Sequence, residues 1–340
     1  EVDGTFAYDE VEAMNAASTT GSKMIMSKAM NNHTWYGLLS TYTTKFGENF
    51  DFYGGIDLRY YKGLHQNVIT DLFGGSYFVD IDNRKNVRVE NNAAAADPNF
   101  KKQKLGVGDV IYRDYDGFVM SEGVFAQLEY NYDKLSAFVS GGLSNTSYWR
   151  YDRLYYDKAH AKSDKKHYLG GNVKGGINYN LNEYNNIYFN AGYINRAPMF
   201  DTSFINSQNS HARNGDAKNE KVMSFELGYG FRTGFFTANV NAYYTRWKDK
   251  ALYDSGTYNY ENEEGVEIED RWTLNMTGAN ANHMGIELDF VAKPLRWLDV
   301  TGMFSWGDWR WNGNAKGFYY NGAGQMLADK LPPDVPLLFL

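Results

Sequence analysis

The sequence predicts an all-β protein, an antiparallel transmembrane β-barrel of which these 340 residues supply part. Three observations point there. Apolar and polar residues alternate with period two in one segment after another, the pattern of a strand with one face in an apolar medium and one in water. Short and long connections between those segments alternate along the whole chain. Aromatic residues, 17% of the total, gather where segments meet connections.

Residues 1–32 show no clear period; 9–17 read as a turn of helix, and 21–30 as the end of an extracellular loop or of a preceding barrel segment. From there ten strands are expected, at 33–46, 51–64, 118–131, 135–149, 168–181, 186–197, 220–232, 236–249, 273–292 and 297–311. The second is representative: Phe52, Gly54, Ile56, Leu58 and Tyr60 fall on one parity, Asp51, Tyr53, Asp57 and Arg59 on the other. The same split places Val139, Val240, Ile286 and Leu288 on a face turned to lipid, and Asn239, Asn241 and Glu287 on a face turned to the lumen. An eleventh strand is expected to begin near Val335.

Short turns fall at 47–49, 132–134, 182–185, 233–234 and 294–296, and long loops at 65–117, 150–167, 198–219, 250–272 and 312–334. In a meander every second connection lies at the same end, so the short turns share one rim and the long loops the other. Tight periplasmic turns, long extracellular loops and strands that are apolar outside and polar inside describe an outer-membrane barrel. Rings mark both rims: Phe46, Phe50, Tyr132, Tyr184, Phe235 and Trp297 near the turns, and Tyr60, Tyr61, Trp247 and Trp306 near the loops. Girdles at the headgroup levels explain how a chain with mean hydropathy -0.57 can be so rich in rings.

Composition excludes several classes. No run approaches the roughly 18 apolar residues of a membrane-spanning helix. A net charge of -7 with mixed signs argues against a nucleic-acid partner. Zero cysteines remove zinc ribbons, disulfide scaffolds and thiol catalysis. The stretch 91–98, followed by Lys101, Lys102 and Lys104, reads as a solvated loop tip. The chain opens on Glu1-Val2-Asp3-Gly4 and stops on the apolar run Leu337–Leu340, which reads as a fragment.

Several motifs carry a resemblance. They are Asn31-Asn32-His33-Thr34-Trp35-Tyr36-Gly37, Gly55–Gly63, Asp71-Leu72-Phe73-Gly74-Gly75, Tyr193-Ile194-Asn195-Arg196-Ala197-Pro198, Asn219-Glu220-Lys221 with Ser224–Gly228, and His283–Asp289. Together they resemble the barrel of TonB-dependent outer-membrane receptors, especially those of Bacteroidetes. Asn219 stands where the family's strand start carries Pro. The resemblance implies a 22-stranded barrel occluded by an N-terminal plug in the outer membrane of a Gram-negative bacterium. It implies import of a scarce, bulky nutrient (iron-siderophore, cobalamin, peptide or oligosaccharide) driven through TonB. The implied partners are outer-membrane lipid, TonB by way of the plug, and a surface lipoprotein as a further candidate. Residues 33–340 read as a partial barrel without the plug.

Candidate functional residues are the loop aromatics Tyr148, Trp149, Tyr151, Tyr155, Tyr156, Trp309, Trp311, Tyr319 and Tyr320, which could stack on a sugar, a catecholate ring or a corrin, or could hold the loops together. His65, His160, His167 and His211 could bind a metal chelate if they converged, but read as scattered loop histidines at the surface. Asp57, Glu129, Glu226, Glu287 and Asp289 share polar parity with Arg59, Lys174 and Arg232, so lumenal ion pairing is favoured over acid-base chemistry. Gly21-Ser22-Lys23 and Gly170–Gly176 lack the partners of a phosphate loop. No catalytic residue, metal site or cofactor is expected. Two other classes compete with a transporter: a soluble secreted glycan-binding β-sandwich, which predicts evenly spread loop lengths, and an outer-membrane barrel enzyme, which needs a Ser/His/Asp arrangement at one rim.

Overall fold

The computed structural model describes residues 6–80, 104–156, 158–261, 265, 267–313, 315–321 and 326–327. A helix α1 (Tyr8–Ala17) precedes strands β1 (Met26–Phe46), β2 (Phe50–Asp71), β3 (Val110–Tyr132), β4 (Leu135–Asp152), β5 (Lys166–Asn180), β6 (Asn185–Arg196), β7 (Glu220–Arg232), β8 (Phe236–Glu261), β9 (Glu267–Leu295), β10 (Leu298–Trp311) and β11 (Lys316–Asn321). All ten expected strands are present. Each pairs antiparallel with its neighbours in sequence, in the order β1 to β10. β1 and β10 are not paired with each other, so the sheet is open.

The turns at one rim are made by residues suited to them. Gly47 and Asp133 take positive φ, 67° and 47°. The Thr233 hydroxyl accepts from the Phe236 amide at 3.1 Å, and Asn182 Oδ1 accepts from the Tyr184 amide at 2.9 Å.

Directly opposed residues in a sheet share a face, so the register separates the two sides. One row runs Ile177, Phe189, Leu227, Ala242, Ile286, Trp306 across six strands, and the next runs Tyr179, Ile187, Tyr229, Val240, Leu288, Phe304. The alternate row runs Ser136, Asn178, Tyr188, Gly228, Asn241, Glu287, Ser305. Side chains on this polar face bond across strands, Asn239 to Asp289 at 2.8 Å and Asn186 to Asn178 at 2.7 Å, and along one strand, Arg59 to Asp57 at 2.8 Å. The segment between β6 and β7 folds across the polar face, which marks it as the interior.

The long-loop side differs from expectation in three respects. The segment 250–272 was expected as a loop, but β8 and β9 run on through most of it as a two-stranded ribbon. The reason is a bulge: register shifts between Trp247 and Leu252, with Asp249 at φ 57° and Gly278 at φ 78°, break the period at the membrane edge. Beyond it, Tyr258, Trp272, Leu274 and Met276 form a buried cluster that Leu252 and Tyr319 cover. Second, the 312–334 loop contains β11, whose residues Lys316–Asn321 oppose Thr277–Trp272. β11 therefore runs along β9 on the edge β10 occupies and in the same direction, continuing that line after an interruption. Third, His65 and His167 lie on β2 and β5 and not on loops, Tyr151 lies within β4, and Tyr319 and Tyr320 belong to β11. The expected strand near Val335 and the loop tip at 91–98 lie outside the described residues.

Candidate functional site

The site is built at the long-loop end of the polar face, where the 197–219 segment enters the lumen. Its base is an ion pair between a half-exposed arginine and a buried carboxylate. Arg196 ends β6 directly opposite Glu220, which begins β7. Arg196 donates twice to Glu220 Oε2, at 2.9 and 2.7 Å, and the Ala251 amide of β8 donates to Oε1 at 3.1 Å. The Arg-Ala-Pro and Asn-Glu-Lys motifs are thus two halves of one clamp.

Past the clamp the segment crosses the interior and binds both sides of it. Phe200 packs on Tyr148, with ring centroids 5.7 Å apart, and lies over Gly117, where a Cβ would come within 3.0 Å of the ring. Phe204 is fully buried under the Arg213 guanidinium, 4.1 Å from the ring centroid. Asn275 of β9 donates to the carbonyls of Phe204 and Ile205 at 3.1 and 2.6 Å, while Ser203 donates to the Tyr168 hydroxyl of β5 at 2.8 Å.

His211 fastens this segment to the next loop. Its ring stacks on Tyr156 at 3.7 Å, its amide donates to the Tyr156 hydroxyl at 2.7 Å, and its Nε2 lies 3.0 Å from the His160 carbonyl. Nδ1 sits 3.2 Å from Nη1 of Arg150. A guanidinium only donates, so Nδ1 is the acceptor and Nε2 carries the proton. Arg150 and Asp152 are both fully buried and paired at 2.7 Å. Burial, then Arg150, push the His211 imidazole down to about 3, so it is neutral at physiological pH. Burial likewise raises Tyr156 and lowers Arg213 to about 10, which leaves the guanidinium charged.

Between β1, β2, β3 and the in-folded segment lies a cleft of about 540 Å³, walled by His33, Tyr61, His65, Arg113, Tyr115 and Asp201 among others. Among the described residues no three His, Asp or Glu side chains converge. Of the cleft residues the sequence singled out His65, as a scattered loop histidine, and Tyr61, as a rim aromatic, without bringing them together. The signal was present, because Tyr61, Gly63 and His65 continue the lumenal parity of Asp57 and Arg59 past the expected end of the strand at residue 64.

The expected aromatics divide into buried, half-buried and exposed residues. Tyr148, Trp149, Tyr155 and Tyr156 are buried. Tyr148 donates to the Pro198 carbonyl at 2.8 Å, Trp149 stacks on Phe118 at 5.0 Å, and Tyr155 donates to the Tyr112 carbonyl at 2.7 Å. Tyr151 lies beside the Arg153 guanidinium, 5.3 Å from its ring centroid. Tyr319 packs edge-on against Trp272, and Tyr320 opposes Thr273. Trp309 and Trp311 stand exposed on the β10 edge, Trp309 donating to the Tyr243 hydroxyl at 3.0 Å.

A family model described as "TonB dependent receptor-like, beta-barrel" matches residues 2–336. No curated protein sequence matches the chain. Among solved structures, a copper transporter, OprC, superimposes with a TM-score of 0.57 at 12% identity, covering 86% of this chain and 40% of its own. The FrpB iron transporter from Neisseria meningitidis gives 0.50 at 14% identity, covering 83% and 36%. The chain therefore spans well under half the length of either, and the likeness concerns the fold. The family and these neighbours are transporters and receptors of the Gram-negative outer membrane. With the open antiparallel sheet, its apolar and polar faces and a family match from end to end, the chain belongs to the TonB-dependent receptor β-barrel family.

Proposed function

We propose that this chain forms the recognition side of an outer-membrane importer for a scarce, bulky nutrient, powered by TonB acting through a plug, with a surface lipoprotein as a further candidate partner. The observation that carries the proposal is the 197–219 segment folded across the polar face. It narrows the lumen at the extracellular end and completes a cleft with β1–β3, where incoming cargo is met before the plug. The cleft is polar and aromatic, which suits a ligand with ring surfaces and hydrogen-bonding edges. The plug, the coupling to TonB and the lipoprotein come from the family resemblance.

The test is growth and uptake in cells expressing the intact receptor. Nutrient uptake should require TonB, and removal of residues 200–216 should abolish binding while leaving the barrel in the membrane. Uptake that persists without TonB would overturn the importer assignment.

A further inference from the structure

His33, Tyr61 and His65 line one stretch of the cleft wall beside the bare backbone of Gly63. His65 Nδ1 lies 2.8 Å from Asn31 Oδ1. An amide oxygen only accepts, so Nδ1 carries the proton and the Nε2 lone pair is fixed toward the cleft. A Cβ at Gly63 would sit 3.2 Å from that nitrogen and 2.9 Å from the Tyr61 hydroxyl. Gly63 pairs with His33, and His33 Nδ1 is itself in hydrogen-bond contact with the Tyr61 hydroxyl. The gap left by the missing side chain is therefore bordered by His65 Nε2 and Tyr61 Oη, and His33, on the opposed strand, touches that hydroxyl.

We infer that the Gly63 gap is a metal-coordination point for a borderline transition-metal cation such as Cu²⁺, held by His65, Tyr61 and His33. The inference rests on the proposal that the cleft is the cargo site, and it narrows the cargo to a metal ion or a chelate with open coordination positions. Imidazole nitrogen suits Cu, Ni and Zn, and a His whose other ring nitrogen is held by an amide oxygen is oriented as metal-binding histidines are. Coordination by Tyr61 exchanges its hydroxyl proton for the metal and releases that proton to water. Asp201 lines the same cleft and supplies a negative charge, with Arg113 as its counterweight. Glycine is needed at position 63 because any side chain would occupy the metal's place.

The experiment titrates Cu²⁺ into the intact receptor purified in detergent, reading affinity by calorimetry and the phenolate-to-copper absorption band by visible spectroscopy. One site of high affinity with that band is expected. His65→Ala and Gly63→Ala should each weaken it at least tenfold, Asn31→Ala by about 10- to 100-fold as for other residues that orient a ligand, and Tyr61→Phe should remove the band. Heat-modifiable migration on gels reports that each variant still forms a barrel. Wild-type affinity in both His65→Ala and Gly63→Ala, or no band in the wild type, overturns the inference. Energised uptake of a metal-free nutrient by a receptor that fails to bind Cu²⁺ would also overturn it and leave the importer assignment standing. Tight Cu²⁺ binding without TonB-dependent uptake would support the site and remove the importer.

Discussion

At Gly228 the lack of a side chain lets the Tyr188 ring lie across the seam between β6 and β7. A Cβ there would fall 2.0 Å from the ring, inside contact distance. Tyr188 in turn reaches Glu226 at 3.3 Å on the polar face. Gly228→Val is expected to push the ring off the seam and cost about 1–3 kcal/mol, the usual range for overpacking. A chemical denaturation midpoint unchanged from wild type would count against the packing. His211 makes a prediction that depends on pH. Its docked imidazole titrates at about 3, well below the ordinary 6.5, so the undocked loop binds the proton first. The contribution of His211 to docking is whole above pH 6.5 and falls as the pH drops from there toward 3. Protonation would set an imidazolium against Arg150, with Asp152 already committed to that guanidinium and Arg213 adding a second positive charge nearby. Amide protection at 205–214, referred to the intrinsic exchange rate at each pH, should therefore fall between about pH 7 and pH 4.5, and His211→Gln should flatten that dependence. Equal protection at both pH values in the wild type would refute the latch.

At the scale of elements, the clamp at the foot of β6 and β7 sets where the in-folded segment begins. Glu220 is 1% exposed, so losing Arg196 leaves a carboxylate with the Ala251 amide and little solvent. Arg196→Ala should destabilise the segment by roughly 1–3 kcal/mol, in the range for a buried group stripped of its partner. Faster proteolysis confined to 197–219, with the strands intact, is the expected readout. The ten strands were legible because a membrane imposes strict period two and the turns carry Gly47, Asp133 and Thr233 where a reversal needs them. The β8–β9 ribbon was not, because the bulge at Asp249 shifts the phase just where the aromatic girdle also suggests an end. β11 was hidden for a different reason: Lys316–Asn321 opposite Thr277–Trp272 is too short a length to display a period of two. The cleft was missed because the expected strand stopped at residue 64 and left His65 to a loop, although its parity with Tyr61 and Gly63 already placed it inside. The loop aromatics were identified as residues, but their packing partners Phe118, Pro198 and His211 lie far away in sequence and only the fold brings them together.

For the molecule as a whole, the two faces and the two edges lead to different tests. Val240 sits in the apolar row between Tyr229 and Leu288, and Asn239 beside it bonds to Asp289 on the polar side. Val240→Arg should cost about 2–4 kcal/mol if the site lies near the bilayer midplane, whereas Asn239→Arg should be tolerated. Equal penalties would mean that the faces are misassigned. The edges are the sharper case. β1 and β10 each present one side whose N–H and C=O groups have no strand partner among the described residues, and β10 also exposes Met303, Phe304, Trp306 and Trp309. In hydrocarbon every unsatisfied backbone group costs several kcal/mol, and a sheet survives there only when closed. The 340-residue chain produced alone should therefore recruit further strands, oligomerise or aggregate, and should not transport. Reconstitution in liposomes with TonB decides the matter. Saturable, energy-dependent uptake by the isolated chain would show that it closes and couples unaided, while uptake only by the intact receptor would show that both edges are seams within a larger barrel.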